Sequence, residues 1–91
     1  MKIYELLNEP SKWTRYTGAR DMRGNKISIS SPDAVCWCLM GAVHKCYNLE
    51  EQEEILDKIS NYLKPIIITD WNDNCLRTFE EVKSLCLALD I

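Results

Sequence analysis

The sequence predicts a mainly α single domain spanning 1–91: a small bundle of three to four helices with a short β-hairpin near residues 17–30. An α+β arrangement is the alternative. Three observations point this way. Two segments open on a capping residue with glutamate three positions later and continue as apolar stripes at helical spacing. The run Ala34 to His44 is uncharged throughout, as in a buried helix. Ile27 and Ile29 alternate with Lys26, Ser28 and Ser30 after Gly24-Asn25, a period-2 strand behind a hairpin turn. A chain of 91 residues allows one domain.

Each element has its own rationale. Ile3, Leu6 and Leu7 share one side of a two-turn helix over 3–8 that Pro10 ends. In the hairpin register, Met22 would face Ile27 and Arg20 would face Ile29. Ser31-Pro32-Asp33 combines a cap, a proline suited to the first helical position and an acid for the positive end of the dipole. It predicts a central buried helix over 32–47. Gly41 inside that helix costs about 1 kcal/mol relative to alanine and implies the close approach of a neighbouring element. Asn48 with Glu51 forms a capping box for a helix over 49–63. Its stripe is Ile55, Leu56, Ile59, Tyr62 and Leu63, and Pro65 stops it. Ile66 to Thr69 is β-branched and extended by preference, and Asp70 to Asn74 reads as a turn or a single helical turn. Thr78 and Glu81 form a second box, opening a helix over 79–90 with Phe79, Val82, Leu85, Cys86 and Leu89 on one stripe.

Composition narrows the function classes. Apolar residues make up 46% and charged residues 27%, as in a soluble globule rather than a disordered chain. No run approaches the roughly 20 apolar residues of a membrane helix, and no secretory signal is visible. The net charge of −3 argues against general nucleic-acid affinity. It conceals a basic 1–47, with seven Lys/Arg against four Asp/Glu, and an acidic 48–91, with four against ten. The five cysteines, Cys36, Cys38, Cys46, Cys75 and Cys86, are odd in number and show no CxxC or CxxH spacing. They read as buried free thiols acting as small hydrophobes in a reducing compartment, the cytoplasm of a bacterial cell or of an infected host cell.

Four constellations could carry chemistry or binding. Asp70, Asn72 and Asn74, with Thr78 and Glu81, match the ligand spacing of a calcium loop. Cys75 stands where that loop needs glycine, so the expectation is a capped turn without metal. Lys12 to Lys26 interleaves Arg15, Arg20 and Arg23 with Trp13 and Tyr16, a pattern that can bind single-stranded nucleic acid or an acidic partner. His44 lies about 120° from Cys38 and about 200° from Cys46 around a helix, so neither pair forms a catalytic dyad. The acidic face Glu50, Glu51, Glu54 and Asp57 could dock a protein. No catalytic residue and no cofactor is assigned.

Trp37-Cys38-Leu39-Met40-Gly41-Ala42 and Trp71-Asn72-Asp73, followed by Thr78, Glu81 and Val82, resemble a WC-x-x-GA helix and a WND…T-x-x-E-V segment. Ala19-Arg20-Asp21 with Gly24, and Ser31-Pro32-Asp33-Ala34, resemble the same pattern. The chain is thereby similar to an uncharacterised family of short bacterial and phage proteins, a domain of unknown function. The resemblance implies a shared small helical fold and a phage or mobile-element origin, and no activity. Physically, the motifs are expected to be packing devices: Trp71 would lie across the smooth Gly41–Ala42 patch, and Asn72 or Asp73 would anchor its turn. The expected function is a non-enzymatic protein–protein interaction module, such as a phage accessory factor or host-defence inhibitor of anti-CRISPR type. The alternatives are a small ligand-binding or enzymatic domain using the Asp70–Asp73 turn with the hairpin arginines, and nucleic-acid binding through Lys12–Lys26.

Overall fold

The computed structural model describes residues 1–91. In chain order the elements are α1 (Ile3–Leu6), a 3-10 turn (Pro10–Lys12), β1 (Ala19–Arg20), β2 (Cys36–Trp37), α2 (Leu39–Cys46), α3 (Leu49–Leu63), α4 (Ile68–Asp73) and α5 (Phe79–Leu89). The protein is mainly α with one small antiparallel sheet, and it has five α-helices rather than three to four. No helix is long and apolar enough to cross a membrane.

The two capping boxes form where the sequence places them. The Asn48 side chain accepts from the Glu51 amide at 2.9 Å, and the Thr78 hydroxyl accepts from the Glu81 amide at 3.2 Å. In each case the glutamate returns a bond to the cap's own N–H. Ile55, Ile59 and Leu63 of α3 and Phe79, Val82, Leu85 and Cys86 of α5 are buried. With Ile3, Leu7, Leu39, Val43 and Trp71 they build one core. Tyr62, expected on the α3 stripe, points outward and is 58% exposed, because it sits at the edge of the stripe beside a shallow groove.

The central helix is shorter than its sequence signals. Residues 32–38 do not join it. Val35 donates to the Arg20 carbonyl, and Cys36 and Trp37 pair with Arg20 and Ala19. This pairing with a distant segment overrides the local proline-and-acid start signal at Ser31-Pro32-Asp33. The cap of α2 is instead Cys38, whose Sγ accepts from the Gly41 amide at 3.2 Å. The hairpin segment also departs from the expected register. A tight turn over 21–25, with Gly24 at φ +83°, sets Arg20 opposite Lys26 in a single bridge. The partner strand of β1 is therefore Cys36–Trp37, and Ile29 instead lies against Gly18.

The expected extended run Ile66–Thr69 is overturned in its second half, since Ile68 and Thr69 begin α4, the helical turn expected from Asp70. Ile68, Trp71 and Asn72, at helical spacing, are all buried, so tertiary burial outweighs β-branched preference. Lys64–Pro65 before it is a cis peptide.

Gly41 has the neighbour its position implied, and that neighbour is the Gly18 backbone rather than Trp71. A Cβ on Gly41 would stand 2.9 Å from the Gly18 carbonyl carbon and closer still to its oxygen. That oxygen accepts from the Cys38 amide at 3.2 Å, so the same contact seats the start of α2 against the loop before β1.

Candidate functional site

Asn72 organises the region where the two tryptophan motifs meet. It is 1% exposed and uses its full amide capacity. Its Oδ1 accepts from Trp13 Nε1 at 2.8 Å and from the Leu39 amide at 3.0 Å. Its Nδ2 donates to the Thr14 carbonyl at 3.2 Å and to Asp73 Oδ1 at 3.0 Å. One side chain on α4 thus joins the 3-10 region, the start of α2 and the adjoining acid. Asn72 and Asp73 thus anchor the Trp71 turn to backbone groups of Thr14, Tyr16 and Leu39, as expected; the indole that Asn72 holds is Trp13, because Trp71 and Asn72 leave the helix on different faces. Trp71 turns toward α3 and α5, where Arg77 lies over its ring at 4.0 Å and donates to its carbonyl at 3.0 Å. Arg77 also pairs with Glu81 at 3.0 Å, which ties the α5 cap to α4.

Next to Asn72 lies a cleft of about 210 Å³. Cys38, Met40 and Gly41, at the start of α2, form one wall. Thr69, Asn72 and Asp73 of α4 form the second, and Tyr16, Thr17, Gly18 and Ile29 close it. Asp73 is the only formally charged side chain among these ten. Its Oδ1 accepts from the Tyr16 amide at 2.9 Å as well as from Asn72, and that bond holds Tyr16 at φ 69°. A left-handed tyrosine costs about 1–2 kcal/mol. Burial pushes the Cys38 thiol above its ordinary range, and hydrogen bonds from the Gly41 and Met40 amides only partly offset this. The thiol is therefore protonated at neutral pH and is a weak nucleophile.

The other residues singled out in the sequence are placed as follows. Arg15 stacks on Trp13 at 4.4 Å and donates to the Asn74 and Arg77 carbonyls. Arg20 is spent on Thr14 Oγ1 and on the Gly24 and Arg15 carbonyls. These two arginines hold loops together and do not converge on the cleft with Asp73. Arg23 is exposed. Trp37 is buried in β2, donating to the Ile29 carbonyl at 3.4 Å, and Ala42 is fully buried on α2. Asp70 is exposed, and the would-be calcium ligands are dispersed: Asn72 into the core, Thr78 and Glu81 into the cap. Glu50, Glu54 and Asp57 flank an exposed hollow with Glu53 and form no ion pair, the chain's two being Lys2–Asp90 and Arg77–Glu81. Glu51 is occupied by the α3 cap. His44 pairs with Gln52 at 2.7 Å, not with a cysteine. All five cysteines are free; Cys36, Cys38 and Cys86 are buried as expected, whereas Cys46 is half-buried and Cys75, in the loop after α4, is exposed.

Sequence reasoning missed the cleft's third side. Nothing marks Tyr16 as left-handed, because the acid that stabilises it lies 57 positions away. Gly18 was the one available signal, as a natural partner for a helix glycine.

Taken together, fold and site define a small helical domain organised around two tryptophan-bearing segments. The chain belongs to the Family of unknown function (DUF6197), whose model matches residues 2–89. No curated protein and no solved structure matches it.

Proposed function

We propose that this protein is a non-enzymatic binding module whose working site is the cleft between the start of α2 and α4. One observation carries the reading. The two motif segments, 33 positions apart between Leu39 and Asn72, supply facing walls of one concavity, and Asn72 fixes their spacing. Such preorganisation lowers the cost of binding. At about 210 Å³ the cleft is smaller than a drug-sized site and suits one side chain or one small ligand group. The protonated Cys38 and the His44–Gln52 pair support binding over nucleophilic chemistry. The unpaired acids of α3 would add long-range attraction for a basic partner, in keeping with an interaction module.

The test is affinity capture from native host lysate with three baits: wild type, Thr69→Trp, and a reversal of Glu50, Glu54 and Asp57 to lysine. Thr69 is exposed on the cleft wall, so tryptophan there fills the opening without entering the core. A partner lost with Thr69→Trp and retained, more weakly, with the reversed acids supports the cleft. A partner lost only on acid reversal moves the site to α3 and sinks the proposal.

A further inference from the structure

We propose that the cleft takes an organic monocation: an alkylammonium or guanidinium head on a short aliphatic stem. The inference rests on the cleft being the binding site and names the chemistry it selects. Three features of its wall lead there. The first is charge. Asp73 is the sole charged lining group, it forms no ion pair, and only its Oδ1 is engaged, leaving Oδ2 without a partner. The second is the closure of the competing site. Helix N-termini favour anions, but here the Leu39 amide is taken by Asn72 and the Gly41 amide by Cys38 Sγ, so two of the three first-turn donors an anion would need are occupied. The third is shape. Ile29 and Met40 supply an apolar path along the wall, with Tyr16 at the rim, where it is 60% exposed. An aliphatic stem fits such a path, and an aromatic face beside a cation adds attraction.

Size agrees. A cavity of about 150 Å³ holds benzene, so about 210 Å³ accommodates a four- or five-carbon chain with its head group. The same chemistry is carried by a lysine or arginine side chain and by a free small amine. The Thr17 and Thr69 hydroxyls on the wall give an ammonium, with three donors, acceptors besides Asp73.

The experiment is an amide chemical-shift titration with n-butylammonium and n-butylguanidinium at millimolar concentrations, alongside n-butanol and butyrate as neutral and anionic controls. The expected result is saturable shifts at Tyr16, Gly18, Gly41 and Asp73 with the cations and none with butyrate. Affinity should fall at least about ten-fold in Asp73→Asn, the loss of a charge-assisted bond. Asparagine keeps an Oδ1 for the Tyr16 and Asn72 donors, so the fold is expected to persist. Thr69→Trp, which retains the carboxylate, should abolish the shifts by occupation. A lysine-bearing peptide that binds more tightly than n-butylammonium assigns the cation to a partner segment, and equal affinity assigns it to a free amine; both support the proposal. Equal shifts with n-butanol, or unchanged affinity in Asp73→Asn, would overturn the cation inference and leave the cleft as the binding site. Silence with every probe would overturn both.

Discussion

Gly41→Ala puts two physical arguments in direct opposition. By helix propensity alone, replacing an interior glycine with alanine should stabilise α2 by about 1 kcal/mol. The Gly18 backbone reverses that sign. The new Cβ would stand 2.9 Å from the Gly18 carbonyl carbon and 3.1 Å from its Cα, against a normal carbon–carbon separation of about 3.5–4.0 Å. Relief requires a backbone shift of at least roughly 0.5–1 Å on that spacing, since the Gly18 oxygen is closer still and main chain cannot rotate away. Moving Gly18 strains its bond to the Cys38 amide and the Ala19–Trp37 pairing beside it. Overpacking costs about 1–3 kcal/mol and a weakened buried donor about 1–3. Less the propensity gain, the net is a destabilisation of about 3 kcal/mol. For a domain of this size that lowers Tm by about 12–24 °C. The assay is thermal unfolding followed by far-UV circular dichroism, with Gly18→Ala as comparison. That variant meets only the Ile29 side chain, at 2.8 Å, which can repack, so its loss should be smaller. A Gly41→Ala protein melting at or above the wild-type temperature would refute the reasoning and remove the Gly18 contact from the fold.

Other outcomes follow from the same geometry. Asn72→Ala strips the partners of Trp13 Nε1 and the buried Leu39 amide and should cost about 2–5 kcal/mol in urea unfolding; a loss below 1 kcal/mol would contradict the role assigned to it. Arg77→Met keeps the stem over Trp71 but removes the charge and both hydrogen-bonding roles; we expect a loss of about 1–2 kcal/mol, with near-ultraviolet dichroism reporting a freed Trp71. Burial pushes the Cys86 thiol up to about 12 from 9.0. Between those values the folded state holds a proton that the unfolded state has lost, so stability should be level below pH 9 and fall above it. The slope from this group is up to about 1.4 kcal/mol per pH unit, and Cys86→Ala should flatten it. At the acid end, the Glu81 carboxyl lies below its usual range through the Thr78 amide bond. Its stabilisation is present at neutral pH and lost as pH falls through that lowered value, and Glu81→Gln should blunt the acid limb.

What could be read from the sequence divides along a physical line. α3 and α5 were legible to within a residue because their caps and stripes are local: the signal at Asn48 or Thr78 is answered three positions later. The start of α2 was not, because Ser31-Pro32-Asp33 meets every local criterion while Val35 to Trp37 are claimed by Ala19 and Arg20, fifteen or more positions back. α4 was legible in part: the helical turn expected from Asp70 forms, but its start at Ile68 rests on burial that only the folded chain provides. At the cleft, the motif segments marked Cys38, Gly41, Asn72 and Asp73, and the implied close approach at Gly41 proved real. Tyr16, Thr17 and Ile29 carried no such mark, since their part depends on a loop held by an acid of α4.

The Asn72 junction also has a temporal meaning. Its bonds to Leu39 and Trp13 close loops of 33 and 59 positions, whereas α3 and α5 need only their own neighbours. Loop closure is the slow and entropically costly part of folding. The helices should therefore be in place before Asn72 engages, and removing its amide should speed unfolding far more than it slows folding. The side chain that sets the width of the cleft thus acts as the latch of the native state, and the cleft is among the last parts of the molecule to form.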